Sequence, residues 1–136
     1  MKITTNRKGQ LAVSKAELRA FELGFTPSRP FFDSRYDMII DDGISLKRIQ
    51  IKYADGVMSH TSGSVRVKLE YKDRTNHVYT YQKGEIDGLI VYIPKIDKLC
   101  FFPPVVYVGK RALCVRIAPS KNKQTKGIIA AKNYFW

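Results

Sequence analysis

The sequence predicts one α+β or α/β domain built around a central sheet. Three observations carry this. A single stretch near the N-terminus has helical periodicity, the rest is a succession of strand-like runs divided by turn residues, and the tail ends as a loop or short helix. At 136 residues the chain is long enough to bury one core and too short for two ordinary domains. No repeat, low-complexity run or linker interrupts it, so residues 1–136 are taken as one domain.

The helix is expected over "GQLAVSKAELRAFEL", residues 9–23. Leu11, Ala12, Val13, Ala16, Leu18, Ala20, Phe21 and Leu23 form an apolar stripe, with Lys15, Arg19 and Glu22 outside it. Gly24 ends the run. Pro27 and Pro30 then restrict "FTPSRPFF" to a loop or an edge strand, because proline cannot donate to a central ladder. "YDMII", the turn residues "DDGIS" and "LKRIQIKYA" form a β-hairpin pattern. Its second strand sets Arg48, Gln50 and Lys52 on one face and Ile49, Ile51 and Tyr53 on the other. "GSVRVKLEYKD" alternates as a strand, with Ser64, Arg66 and Lys68 opposite Val65, Val67 and Leu69. "GLIVYIP" is apolar on both faces, as a central strand must be. "KLCFFPP" and "ALCVRIAP" supply two more strands, and "KNKQTKGIIAAKNYFW" opens as a basic loop that closes on a short helix.

Charge narrows the function. Lys and Arg number 24 against 12 Asp and Glu, a formal net charge of +12, and no acidic residue follows Asp97. Such a surface favours a polyanionic partner, nucleic acid first. A membrane surface fits less well, because the cations are spread over strand-like segments and not along one amphipathic helix. Without an apolar run of spanning length or a leader-like N-terminus, the expected location is intracellular and cytoplasmic. Cys100 and Cys114 lie in apolar strand contexts and read as buried thiols of a reducing compartment. His60 and His77 stand alone, outside any Cys/His ligand spacing.

The hairpin raises the sharpest chemical question. If Asp41 pairs with Leu46, antiparallel counting places Asp37 opposite Gln50, with Lys52 two residues along on the same face. A register shifted by one turns Gln50 and Lys52 to the other face. One carboxylate with weaker oxygen donors suffices for Mg²⁺, which keeps much of its water. Asp37 is then the main ligand, with the Gln50 amide oxygen and the Ile51 carbonyl as further donors. Lys52 orients the attacking water or stabilises charge developing on phosphorus. The competing reading makes Asp37 a strand-edge charge and Lys52 its salt-bridge partner.

"RKGQLAVSKAELRAFELGFTPSRP", "SRYDMII" and "IQIKYA" together resemble the PD-(D/E)xK nuclease superfamily. In its pattern a Lys-Gly opens the first helix, an Asp begins the second core strand, and an acidic residue or Gln, any residue, then Lys lie on the third. The closest likeness is to homing endonucleases of cyanobacterial type encoded by group I introns, which carry Gln in place of the usual Glu. "FFPPVVYVGKRALCVRIAPSKNKQ" is similar to that branch as well, so the resemblance spans nearly the whole chain.

The resemblance implies a restriction-endonuclease-like core, a mixed central sheet flanked by helices. It also implies a site-specific double-stranded DNA endonuclease that uses Mg²⁺, or another divalent cation such as Mn²⁺, with water as nucleophile and a 5′-phosphate product. Cutting both strands then requires a homodimer or homotetramer. The implied catalytic residues are Asp37, Gln50, Lys52 and Gln10. Gln10 departs from the pattern, since family members usually carry Glu just after the Lys-Gly, at the positions of Gln10 or Val13. Either Glu17, two helical turns beyond Gln10, substitutes for it, or the site works with fewer carboxylates, or Gln10 stands where an active chain carries Glu. For DNA contact the candidates are Arg66 and Lys68 on the strand and Lys121, Asn122, Lys123, Gln124 and Lys126 in the basic loop. Two rival functions share these residues: a structure-selective junction resolvase of the same fold, and a non-catalytic nucleic-acid-binding module.

Overall fold

The computed structural model describes residues 2–58, 61–119 and 127–136. Helix α1 runs over Thr5–Glu22 and starts four residues before the expected Gly9, because Thr4 caps it by accepting the Arg7 N–H on its hydroxyl. Its buried stripe is narrower than the sequence suggests. Ala12, Ala16 and Ala20 face inward, while Leu18 and Phe21 are exposed. Three alanines at four-residue spacing let the helix backbone lie close to the sheet, and the bulkier side chains fall outside that contact. The chain leaves the helix at Gly24, whose φ of 78° suits a residue without Cβ.

The strands follow as β1 (Thr26–Ser28), β2 (Met38–Asp41), β3 (Leu46–Tyr53), β4 (Gly56–Met58), β5 (Thr61–Lys68), β6 (Tyr71–Lys72), β7 (Val78–Tyr79), β8 (Gly88–Ile93), β9 (Lys98–Phe102), β10 (Ala112–Arg116) and β11 (Ile129–Ala130). Between β9 and β10 lies a four-residue helix, α2 (Pro104–Tyr107), and Ala131–Asn133 close the chain as a 3₁₀ turn.

The main sheet has the order β1-β2-β3-β8-β9 and is mixed. Only the β3–β8 pair is parallel. Pro27 lies on the edge strand β1, where its missing donor costs no ladder bond. The hairpin register is Asp41 with Leu46, Ile40 with Lys47, Ile39 with Arg48 and Met38 with Ile49. Its four-residue loop is held by Asp42, whose Oδ1 accepts the N–H groups of Ile44 (2.9 Å) and Ser45 (2.8 Å). β8 is buried along its whole length, as "GLIVYIP" predicts.

Parallel neighbours need a crossover, and here β4, β5, β6 and β7 fill it where a helix would be usual. The two faces of the main sheet are therefore covered differently. α1 packs on Met38, Ile40, Ile49, Ile51 and Ile90. A second sheet, β11-β10-β5-β4, packs Val65, Val67, Leu113 and Val115 against Leu89, Val91 and Ile93 on the other side. β6 and β7 form a separate two-stranded ribbon.

Two smaller expectations fail. Ser64, placed with Arg66 and Lys68 on an open face, is buried at 3% exposure. Its neighbour Gly63 accepts from the N–H groups of Ile117 and Ala118, which folds the chain after β10 over that end of β5. Cys114 is exposed because it alternates with the buried Leu113 and Val115 on β10, whereas Cys100 is buried and pushed up to about 11 by that burial. Both are free thiols.

Candidate active site

Asp37 immediately precedes β2, and its N–H bonds the Ile49 carbonyl at 2.8 Å, which carries the hairpin pairing one residue past the strand. The carboxylate thereby faces β3. Its Oδ2 accepts from Gln50 Nε2 at 2.8 Å and from the Ile51 backbone N–H at 2.9 Å. The hairpin register thus brings Asp37 and Gln50 together as counted. The Ile51 N–H is a contact that sequence counting did not reveal. In an extended strand N–H and C=O of one residue leave from the same edge, so the Ile51 carbonyl shares the edge that Asp37 occupies. Among the described residues, Asp37 Oδ1 takes no protein hydrogen bond.

Electrostatics ties Lys52 to the same place. Burial pushes the Asp37 carboxyl above its ordinary range, opposed by the Ile51 N–H and by the Lys52 charge. Burial likewise holds the Lys52 ammonium below its ordinary range, opposed by Asp37, while the Arg35 and Lys68 charges push it further down. Lys68, expected as a DNA contact, therefore lies within electrostatic range of this centre, and both it and Arg66 are exposed.

Arg35 is a residue that sequence reading missed. Its guanidinium lies 4.1 Å from the ring centres of both Tyr71 and Tyr81, and its Nε donates to Glu85 at 2.8 Å. Nη2 is buried without an oxygen partner. The available signal was its place two residues before Asp37, but its partners come from residues 71, 81 and 85, which only the crossover returns to this point.

Gln10 and Glu17 are not part of the Asp37 hydrogen-bond set. Both hold Arg29, whose Nη1 donates to Gln10 Oε1 at 3.2 Å and whose Nε donates to Glu17 Oε2 at 3.1 Å. The two do share a helix face, as their seven-residue spacing requires, and Glu17 is tied into an ion pair. Ser120, Lys121, Asn122, Lys123, Gln124, Lys126 and His60 lie outside the described residues.

The donors around Asp37 suit a hard cation. They comprise a carboxylate oxygen without a protein partner, an amide side chain and a strand carbonyl edge, all of them oxygen chemistry. No group of three His, Cys, Asp or Glu side chains able to hold a metal exists among the described residues. A hard divalent cation held by so few protein oxygens completes its shell with water.

Comparison with known proteins bears on the fold that carries this site. A family model described as PD-(D/E)XK endonuclease matches residues 3–135. Among solved structures, the bacterial homing endonuclease I-Ssp6803I is similar with a TM-score of 0.79 at 19% identity, covering 98% of this chain and 89% of that one. Hjc, a Holliday junction resolvase from the archaeal hyperthermophile Archaeoglobus fulgidus, is similar with a TM-score of 0.51 at 11% identity, covering 80% and 84%. No curated protein matches the chain.

Proposed function

Because the chain belongs to the PD-(D/E)XK endonuclease family, and is on that ground a nuclease, we propose that it is a site-specific double-stranded DNA endonuclease. The observation that carries the reading is the meeting of Asp37, Gln50 and the Ile51 strand edge, with the half-buried Lys52 in electrostatic reach of Asp37. Two acts are required of such a site: neutralising charge as it grows on the phosphate, and delivering a deprotonated water.

Asp37 would hold a divalent cation, Mg²⁺ or Mn²⁺, with Gln50 and the Ile51 carbonyl as further protein donors, and the bound cation would supply a Lewis acid for the phosphate and a more acidic water. Gln50 and the Ile51 N–H fix the carboxylate, so that it is aimed before substrate arrives. Lys52, half-shielded from water, places a cation against the phosphate where its field is least screened. Gln10 is assigned a supporting role at the helix, with Glu17 held in reserve by Arg29.

The basic charge supports duplex DNA as substrate, with Arg66 and Lys68 on β5 and Lys121, Asn122, Lys123, Gln124 and Lys126 of the basic stretch near the C-terminus as phosphate and base contacts. One centre cuts one strand, so a homodimer or homotetramer is the working form. A high TM-score to a homing endonuclease, against a lower one to a junction resolvase, favours linear duplex over branched DNA.

The test is cleavage of a random-duplex library with Mg²⁺ by the chain itself and by Gln10→Glu, Asp37→Asn and Lys52→Met. Discrete cutting is expected, lost in Asp37→Asn, reduced roughly 10²–10⁴-fold in Lys52→Met, and faster in Gln10→Glu. Cutting of four-way junctions alone would move the reading to the resolvase. Duplex binding with no cleavage by any version would move it to a binding module.

A further inference from the structure

The β6–β7 ribbon belongs to neither main sheet, yet its turn and strands are tied together by their own side chains. Its turn closes on Asp73, whose Oδ1 accepts from Thr75 N (2.8 Å), Thr75 Oγ1 (2.7 Å) and His77 N (2.9 Å), while Oδ2 accepts from the Tyr79 hydroxyl (3.1 Å). Asn76 takes the positive φ of 63° that the turn needs. Tyr71 and Tyr79 stack across the ribbon with ring centres 5.0 Å apart. This much local order on an exposed two-stranded element exceeds what an idle crossover needs, because isolated hairpins are marginal in water.

The charges point outward. Lys72 and Arg74 are exposed and enter none of the ion pairs among the described residues. The two nearby acids are already engaged, Asp73 by the turn and Glu70 by Arg111. The ribbon thus presents cations with no competing free carboxylate. Its dimensions also fit, since a two-stranded ribbon enters the major groove of B-form DNA.

The root of the ribbon meets the active site. Tyr71 on β6 lies on one face of the Arg35 guanidinium and Tyr81, just past β7, lies 4.1 Å from it as well, with Glu85 on its Nε. Nη2 is buried without an oxygen partner, while the guanidinium carbon lies over both rings. Arg35 stands two residues before Asp37, so the stack fixes the ribbon against the strand end that carries the carboxylate.

We propose that the β6–β7 ribbon is a DNA-contacting arm. It lays Lys72 and Arg74 on the phosphates of a duplex, and Arg35 is the positioning residue that keeps the arm in register with Asp37. The arm deepens the nuclease reading and rests on it for the register role, whereas its contact with DNA stands on its own charge and shape.

The test separates the two. Binding to a labelled random-sequence duplex is measured without divalent metal, so that no cleavage intervenes, across a salt titration. Lys72→Ser with Arg74→Ser is expected to weaken binding and to flatten the slope of log K against log salt by about 1.8, two phosphates' worth. The charge-keeping pair Lys72→Arg with Arg74→Lys is expected to retain the slope. An unchanged slope in the serine pair, with its Tm preserved, overturns the arm.

Arg35→Lys keeps the charge and loses the planar stack. It is expected to bind with the wild-type salt slope but to cut roughly tenfold or more slower with Mg²⁺. Equal cutting overturns the register role. If the wild-type chain binds duplex and never cuts it, the nuclease reading fails while the arm is still judged by its salt slope.

Discussion

At the scale of single residues, Asp37 is a carboxylate held partly out of water by design of its neighbours. Its folded pKa lies above its ordinary value, chiefly through burial. The native state therefore holds that proton more tightly than the unfolded chain does, and stability from this group falls as pH rises through the folded pKa. Asp37→Asn removes the penalty while keeping the shape, and its amide can still accept from Ile51. The variant is expected to melt above wild type at neutral pH, with the difference closing in acid, when Tm is followed across pH. Divalent cation is the other route to relief. Mg²⁺ is expected to raise the Tm of wild type and leave Asp37→Asn unmoved, whereas cleavage falls by at least about 10³-fold in the variant. A Tm response to Mg²⁺ that survives the substitution would place the cation elsewhere.

Elements decide whether those residues meet. The β2–β3 register aligns Asp37 with Gln50, and the parallel β8 pairs Gln50 with Leu89 and Lys52 with Val91 on the other side of β3. Gly88 opens β8 opposite Ile49, and a Cβ there would run into the Phe101 ring on β9. Gly88→Ala is expected to cost about 1–3 kcal/mol, because the ring must give way inside a packed sheet. Denaturant unfolding measures the loss. Cleavage should fall beyond it at temperatures where the variant is still folded, since the displacement reaches the strand that carries Gln50 and Lys52. By contrast Gly84, with φ of 87° and open space around its Cβ position, meets only backbone strain on substitution.

For the whole molecule the weighing is between charge and exposed apolar surface. A net charge of +12 opposes close approach of two copies, yet Phe31 and Phe32 stand 92% and 78% exposed side by side, and the proposed double-strand cut calls for a second copy of the site. Burying such a pair against a second copy gains about 1.5–3 kcal/mol per ring from area alone. Phe31→Ser with Phe32→Ser is expected to shift sedimentation toward the monomer. The same variant should nick plasmid DNA while losing double-strand breaks. Unchanged sedimentation would rule out Phe31 and Phe32 as a surface for self-association. No helix among the described residues is long and apolar enough to cross a membrane.

Local patterns were enough for the hairpin. Alternation put Gln50 and Lys52 on one face and the turn residues marked the hairpin, because both depend on neighbours a few positions away, but the pairing of Asp41 with Leu46, and with it Asp37 opposite Gln50, was decided by the structure between two registers. The buried strand at "GLIVYIP" and the stop at Gly24 were legible for the same reason. Tertiary structure alone decided the rest. Leu18, Phe21, Ser64 and Cys114 took exposures set by which surface arrived against them, and periodicity cannot say how close that surface comes. Gln10 and Glu17 turned to Arg29 because the chain after α1 returns along the helix. The Arg35 stack draws on residues as far as fifty positions away, so its existence depends on a crossover path that no local preference encodes.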